Sequence, residues 1–177
     1  MVRCFVGVMV PDTIKQAAEA LQKKLSKFKI KCKFVEPENM HICLSFLGEI
    51  NKSRLESIKT KLDTVSKQYK KFDVCVGKVR FIPNENYIRV IVLEVLDEEG
   101  NLEKLRKFVV RAVDGDSKPP HLTLCRVKGL EDKKKLVNEF GGIICGKKFS
   151  IRRIQLIKSE LRRSGPIYSI LHESELS

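Results

Sequence analysis

A chain of 177 residues with 42% hydrophobic content suits one packed domain, or two small lobes sharing a core, and is too short for several domains. Lys and Arg number 35 against 22 Asp and Glu, a formal net charge of +13, which favours a polyanionic partner, most simply nucleic acid. No stretch approaches the ~20 apolar residues of a membrane span. The six cysteines (Cys4, Cys32, Cys43, Cys75, Cys125, Cys145) form neither a Cys-x-x-Cys pair nor zinc-finger spacing with a histidine, so reduced thiols in a cytoplasm are expected.

In chain order, residues 2–10 read as a buried strand that Pro11-Asp12 ends without a small-residue cleavage site, so it is not expected to be a signal peptide. A helix follows, with Thr13 and Gln16 in capping-box spacing and Ile14, Ala17, Ala18, Leu21 and Leu25 at helical period. Residues 30–36 form a strand, 36–39 a turn, and 40–47 a strand ending at Gly48. Ser53 and Glu56 suggest a second capping box before a helix carrying Leu55, Ile58, Leu62 and Val65. Strands at 72–82 and 86–95 flank a turn. A helix over 101–113 ends at Asp114-Gly115, and Lys118-Pro119-Pro120 leads into another strand. A short helix near 131–140 precedes closing strands at 147–158 and 166–172, with a turn at 162–166 between them. Mixed strands and helices with hairpins predict an α+β fold, and residues 1–177 read as a single two-lobed domain.

Two of the three histidines lie in matching frames, Met40-His41-Ile42-Cys43-Leu44-Ser45-Phe46 and Pro120-His121-Leu122-Thr123-Leu124-Cys125-Arg126. Strand alternation sets His41, Cys43 and Ser45 on one face and Ile42, Leu44 and Phe46 on the other; His121 and Thr123 likewise face away from Leu122 and Leu124. Two imidazoles, one neutral and one charged near pH 7, supply the base and the acid that cleave a phosphodiester without a metal. Thr123 can donate to a non-bridging phosphate oxygen, whose charge grows in the transition state. Cys43 does so only weakly, and a thiol nucleophile there requires a lowered pKa. Arg126 suits phosphate, but strict alternation points it away from His121 unless the strand ends or bulges at Cys125–Arg126. Arg162 and Arg163 sit on a turn, where they could grip an RNA backbone. His172 lacks the motif and reads as a surface or core-edge residue. With no Gly-rich phosphate loop, carboxylate cluster or H-E-x-x-H, no cofactor or metal is expected.

The paired frames resemble the two-histidine (HxTx) phosphoesterase superfamily and, within it, the RNA 2′,3′-cyclic phosphodiesterases, also named 2′-5′ RNA ligases. The similarity runs over nearly the whole chain. It includes Val2-Arg3-Cys4-Phe5-Val6-Gly7-Val8 with Pro11, Pro37-Glu38-Asn39-Met40-His41, Phe46-Leu47-Gly48-Glu49, Pro120-His121-Leu122-Thr123-Leu124 with Arg126-Val127, Ser159-Glu160-Leu161 and Gly165-Pro166-Ile167-Tyr168. The resemblance implies antiparallel sheets in two pseudo-twofold lobes lining a central cleft, with helices outside. It implies hydrolysis of terminal 2′,3′-cyclic phosphate to 2′-phosphate, and 2′-5′ joining of RNA ends in the reverse sense. His41 and His121 carry over as the catalytic pair, Thr123 and Arg126 as phosphate contacts, and Phe5 and Phe46 as base-stacking or cleft residues, with core packing favoured for Phe46. The family has Thr or Ser where this chain has Cys43, and Ser45 is the residue expected to compensate.

The expected activity is thus a hydrolase acting on RNA with 2′,3′-cyclic phosphate ends, tRNA fragments included, as a cytoplasmic monomer. Two alternatives stand beside it: a non-catalytic RNA-binding module on the same fold, and a phosphodiesterase for small cyclic nucleotides.

Overall fold

The computed structural model describes residues 1–163 and 165–177, so Ser164, in the turn expected at 162–166, lies outside the described residues. The elements are β1 (Val2–Met9), α1 (Asp12–Leu25), β2 (Ile30–Phe34), β3 (His41–Ile50), α2 (Leu55–Ser66), β4 (Phe72–Asn84), β5 (Tyr87–Leu96), α3 (Asn101–Val113), β6 (His121–Leu130), α4 (Lys133–Phe140), β7 (Ile144–Ile151), β8 (Arg153–Arg162) and β9 (Gly165–Glu175). No helix among the described residues is long and apolar enough to cross a membrane.

The expected α+β class is what the chain adopts. The strands form one antiparallel sheet in the order β7-β4-β5-β6-β3-β1-β8-β9, and β2 pairs along the far half of β6. The order has a pseudo-twofold at its centre. Outward from the middle, β6, β5, β4 and β7 on one side match β3, β1, β8 and β9 on the other. Each half contains a strand, a helix and then a histidine strand, β1-α1-β3 and β5-α3-β6, with β2 inserted between α1 and β3 in the first. Where the two halves meet in the sheet, β3 and β6 share a single ladder pair, Ile42 opposite Leu122. The strand expected over 147–158 is in fact two, broken at Arg152, and these belong to opposite halves: β7 pairs with β4, β8 with β1. One residue spans at most ~7 Å, so the sheet must curl to bring those strands together.

The helices pack on one side of this curl, α1 against β6 and β7, and α2 and α3 against each other and against β3, β8 and β9. Helical period explains which faces go inside. Ile14, Ala18, Leu21 and Leu25 of α1 are buried, as are Leu102, Leu105, Val109 and Val113 of α3. Both expected capping boxes are replaced. Pro11 precedes α1, where its missing N–H costs nothing, and Asn51 caps the turn before α2 by accepting from the Ser53 amide at 3.1 Å. Gly48 does not end β3. Its φ of +66° lets the strand pass through a bulge and pair on to Ile50.

Two further bulges decide which side chains face the cleft. Against β1, Cys43 pairs with Gly7 and Ser45 with Val6, so Leu44 is the extra residue. Against β5, Thr123 pairs with Val92 and Cys125 with Ile91, so Leu124 is the extra residue. An extra residue reverses the alternation beyond it. Ser45 and Cys125 therefore turn into the core at 0% exposure, and Phe46 and Arg126 turn out.

Candidate active site

His41 and His121 open β3 and β6, and the register set by Ile42 and Leu122 places His41 diagonally across from His121, with Thr123 and Cys43 between them. Each ring is tethered in the same way. His41 Nδ1 lies 2.7 Å from the Asn39 carbonyl and His121 Nδ1 lies 2.8 Å from the Pro119 carbonyl. A carbonyl only accepts, so Nδ1 carries a proton in both rings, and Nε2 has no hydrogen-bond partner among the described residues. Neutral, such a ring presents a lone pair at Nε2; charged, it presents a proton there. The turns that supply these carbonyls follow from sequence, because Pro37 and the Pro119-Pro120 pair fix the backbone before each strand.

His41 sits in an aromatic corner. The Phe5 ring is 4.6 Å away, Tyr168 stands edge-on at 5.2 Å, and Phe5 and Tyr168 are 5.0 Å apart. Burial pushes the His41 pKa below the usual 6.5; the Asn39 contact opposes this, and the charges of His121 and Arg126 add to it. At neutral pH His41 is therefore uncharged in the free protein.

Arg126 is brought to the cleft by the Leu124 bulge, and its charge reaches both His41 and Tyr168. Thr123 shares that face, half-buried. The bulge itself is held from outside. The Leu124 carbonyl accepts from Gln22 Nε2 at 2.9 Å and from the Val35 amide at 3.0 Å, which ties α1 and the end of β2 to the site. Cys43 is a half-buried thiol whose pKa desolvation raises to about 11, only partly offset by the Ser45 amide. A thiol held protonated in this way is a poor nucleophile, so the lowered pKa that a thiolate role requires is not what this environment produces.

Three other expectations change. Ser45 does not share a face with His41. The Leu44 bulge turns it inward, and its Oγ has no hydrogen-bond partner among the described residues, so it cannot stand in for the missing hydroxyl of Cys43. Phe5 is 4% exposed and supports His41 from beneath, so it offers no free face to a base. Phe46, expected in the core, is 41% exposed, with the Arg3 guanidinium 5.0 Å above its ring. Arg162 and Arg163 lie at the exposed tip of the β8–β9 hairpin, and Arg162 donates to Glu160 Oε1 at 2.9 Å from Nη2. His172 stands apart, 2.8 Å from Asp63 Oδ1, and joins β9 to α2 at the edge of the core.

Sequence reasoning missed two residues of the site. Tyr168 was visible only as part of the terminal hairpin, and nothing local shows that β9 reaches His41. Asn39 fixes that approach. It is buried, and its Nδ2 donates to the Pro166 carbonyl at 2.9 Å, while its own carbonyl holds His41. A groove of about 990 Å³ between the end of α1 and α4 holds none of the motif residues; chemistry, not volume, marks the site.

Known proteins resemble this chain in sequence and in fold. A family model described as LigT like Phosphoesterase matches residues 8–92 and 96–168. An RNA 2′,3′-cyclic phosphodiesterase of Methanocaldococcus jannaschii is 34% identical over 97% of this chain and 99% of its own length. One from Archaeoglobus fulgidus is 35% identical over 98% and 99%. Among solved structures, a Thermus thermophilus protein superposes with a TM-score of 0.84 at 23% identity, covering 98% of this chain and 97% of its own. Escherichia coli LigT complexed with 3′-AMP gives 0.80 at 18% identity over 99% and 98%, a likeness of fold. With the family model covering most of its length, the chain belongs to the LigT-like phosphoesterase family.

Proposed function

We propose that this chain is an RNA 2′,3′-cyclic phosphodiesterase that opens a terminal cyclic phosphate to a 2′-phosphate with two imidazoles and no metal, and that residues 1–177 act as one two-lobed unit. The matched tethering of His41 and His121, each with Nδ1 on a backbone carbonyl and Nε2 unspent, carries this reading. The curated relatives of that name, similar over almost their full length, support the substrate.

The reaction needs two proton transfers on opposite sides of phosphorus. The neutral ring takes a proton from water as the water oxygen bonds to phosphorus. The P–O3′ bond breaks, and the charged ring gives its proton to O3′. Negative charge on the non-bridging oxygens grows in between, and the Thr123 hydroxyl and Arg126 guanidinium oppose it. If the 5′-hydroxyl of a second RNA replaces water, the same transfers form a 2′-5′ bond without a nucleotide cofactor. Water at high concentration favours hydrolysis.

The test is turnover of an oligoribonucleotide ending in 2′,3′-cyclic phosphate, in EDTA, with product identified by NMR. A 2′-phosphate product is expected. Dependence on added divalent metal, a 3′-phosphate product, or turnover that survives His41→Ala combined with His121→Ala would overturn the reading.

A further inference from the structure

We infer that a basic groove between β5 and β6 binds the RNA backbone on the 5′ side of the cyclic phosphate, making the enzyme selective for oligonucleotides over mononucleotides. This rests on the proposed activity, since it extends the same substrate away from the histidines.

The groove arises because two paired strands part. β5 and β6 pair from Glu94 opposite His121 as far as Val90 opposite Arg126. Beyond that point β5 continues into its hairpin with β4, and β6 is drawn away by β2, with Gly129 opposite Lys31 and Leu130 opposite Ile30. The space between them has a volume of about 620 Å³ and reaches from Arg126 to Lys133. The other half of the molecule has no counterpart, because β1 and β3 stay paired to Val2 opposite Ile50. The departure from pseudo-symmetry thus opens a channel on one side only, beginning at the arginine assigned to phosphate.

Charge selects the occupant. The described residues that line the groove include four cations, Arg89, Arg126, Lys128 and Lys133, and no carboxylate. The far end is closed by Lys133, whose Nζ donates to the Asn86 carbonyl at 2.7 Å. Next to it, Tyr87 is 56% exposed and held in place by Arg89, which donates to its hydroxyl at 2.8 Å from Nη2 and lies 5.0 Å from the ring centre. Cations along a groove with an exposed ring beside them suit a single strand, the phosphates tracking the charge and a base stacking on the ring. From Arg126 to Leu130 the strand rises ~13 Å, room for a short run of nucleotides. A cyclic phosphate occupies the 3′ end of an RNA, so the strand leaving the site runs in the 5′ direction.

The experiment compares the wild type with an Arg89→Gln/Lys128→Gln variant on substrates from a nucleoside 2′,3′-cyclic phosphate to a decamer with the same end. In the variant, KM for the decamer should rise on the order of tenfold with kcat unchanged. The salt dependence of log KM should become shallower by about 1.4, at ~0.7 for each phosphate no longer neutralised. Turnover of the mononucleotide should hold, which also shows that the variant is folded. Equal losses on both substrates, or a decamer KM that does not move, overturn the groove; in the second case the open strand edges are left to a peptide strand. Binding of a decamer ending in a simple 3′-phosphate, followed by anisotropy, separates the two proposals. Tight, salt-sensitive binding that the variant loses, with no turnover of any cyclic phosphate, sinks the activity and leaves the groove standing.

Discussion

Leu44 and Leu124 occupy the same place in the two halves of the molecule: each is the extra residue of a bulge, three positions after a site histidine, and each is fully buried. The bulges keep His41, Cys43, His121 and Thr123 on the cleft face and add Phe46 and Arg126 to it. They also bury Ser45 and Cys125, which strict alternation would have exposed to substrate. The site therefore depends on two local breaks in strand period as much as on the motifs.

Loss of either imidazole should be severe. His41→Ala and His121→Ala should each reduce kcat by about 10²- to 10⁴-fold on the cyclic-phosphate end, with the circular dichroism spectrum retained. The double variant should be little worse than either single one, because the two transfers act on one step. Single variants within tenfold of wild type would remove these rings from the chemistry.

His41 should titrate below 6.5, chiefly because it is buried. Imidazole NMR is the measurement. Arg126→Met and His121→Asn each remove a nearby positive charge, so both should raise the His41 pKa. The sign for stability follows. Above 6.5 the ring is neutral in folded and unfolded chains alike; below it the unfolded chain takes the proton first, so stability falls as pH drops from 6.5 through the folded value. A His41 pKa above 6.5 would refute the assigned environment.

Cys43 stands where a hydroxyl would serve better. Cys43→Ser is nearly isosteric and should raise kcat on the order of tenfold, while Thr123→Val should lower it by about 10²-fold through loss of a donor to the phosphate oxygen. Since the Cys43 pKa is pushed up to about 11, iodoacetamide at pH 8 should leave this thiol largely unmodified. An unchanged kcat in Cys43→Ser would make position 43 a packing residue.

Ser45 tests the bulge directly. Its Oγ is buried and unpaired, so Ser45→Ala should stabilise the fold by about 1 kcal/mol, near 2–4 °C in Tm, with activity unchanged. Gly115→Ala should do the opposite, because the added Cβ would run into Ser45 Oγ and lie 3.1 Å from the Phe46 carbonyl. Loss of activity in Ser45→Ala would place the hydroxyl back in the cleft.

Asn39 links the first motif to the hairpin. Asn39→Ala removes its bond to Pro166, so Tyr168 should lose its fixed approach to His41. The expected result is lower kcat/KM with a smaller loss of stability, about 1–2 kcal/mol by urea unfolding.

The sequence by itself determined what depends on neighbours along the chain. The period of two around His41 and His121 made strands, the prolines before them shaped the turns that tether the rings, and the helical spacing of Ile14, Ala18, Leu21 and Leu25 buried one face of α1. The repeated frame was enough to single out the family, and it marks the two histidines and Thr123 as the candidate site. Only the tertiary structure decided the rest, because a bulge belongs to a pair of strands and not to either one. Whether Arg126 reaches phosphate, whether Ser45 can, and whether β5 and β6 part to open a groove all depend on the register each strand finds against its partner. Tyr168 makes the same point. It lies 127 residues from His41, and only the fold of β9 against β8 and Asn39 brings the two rings within 5.2 Å.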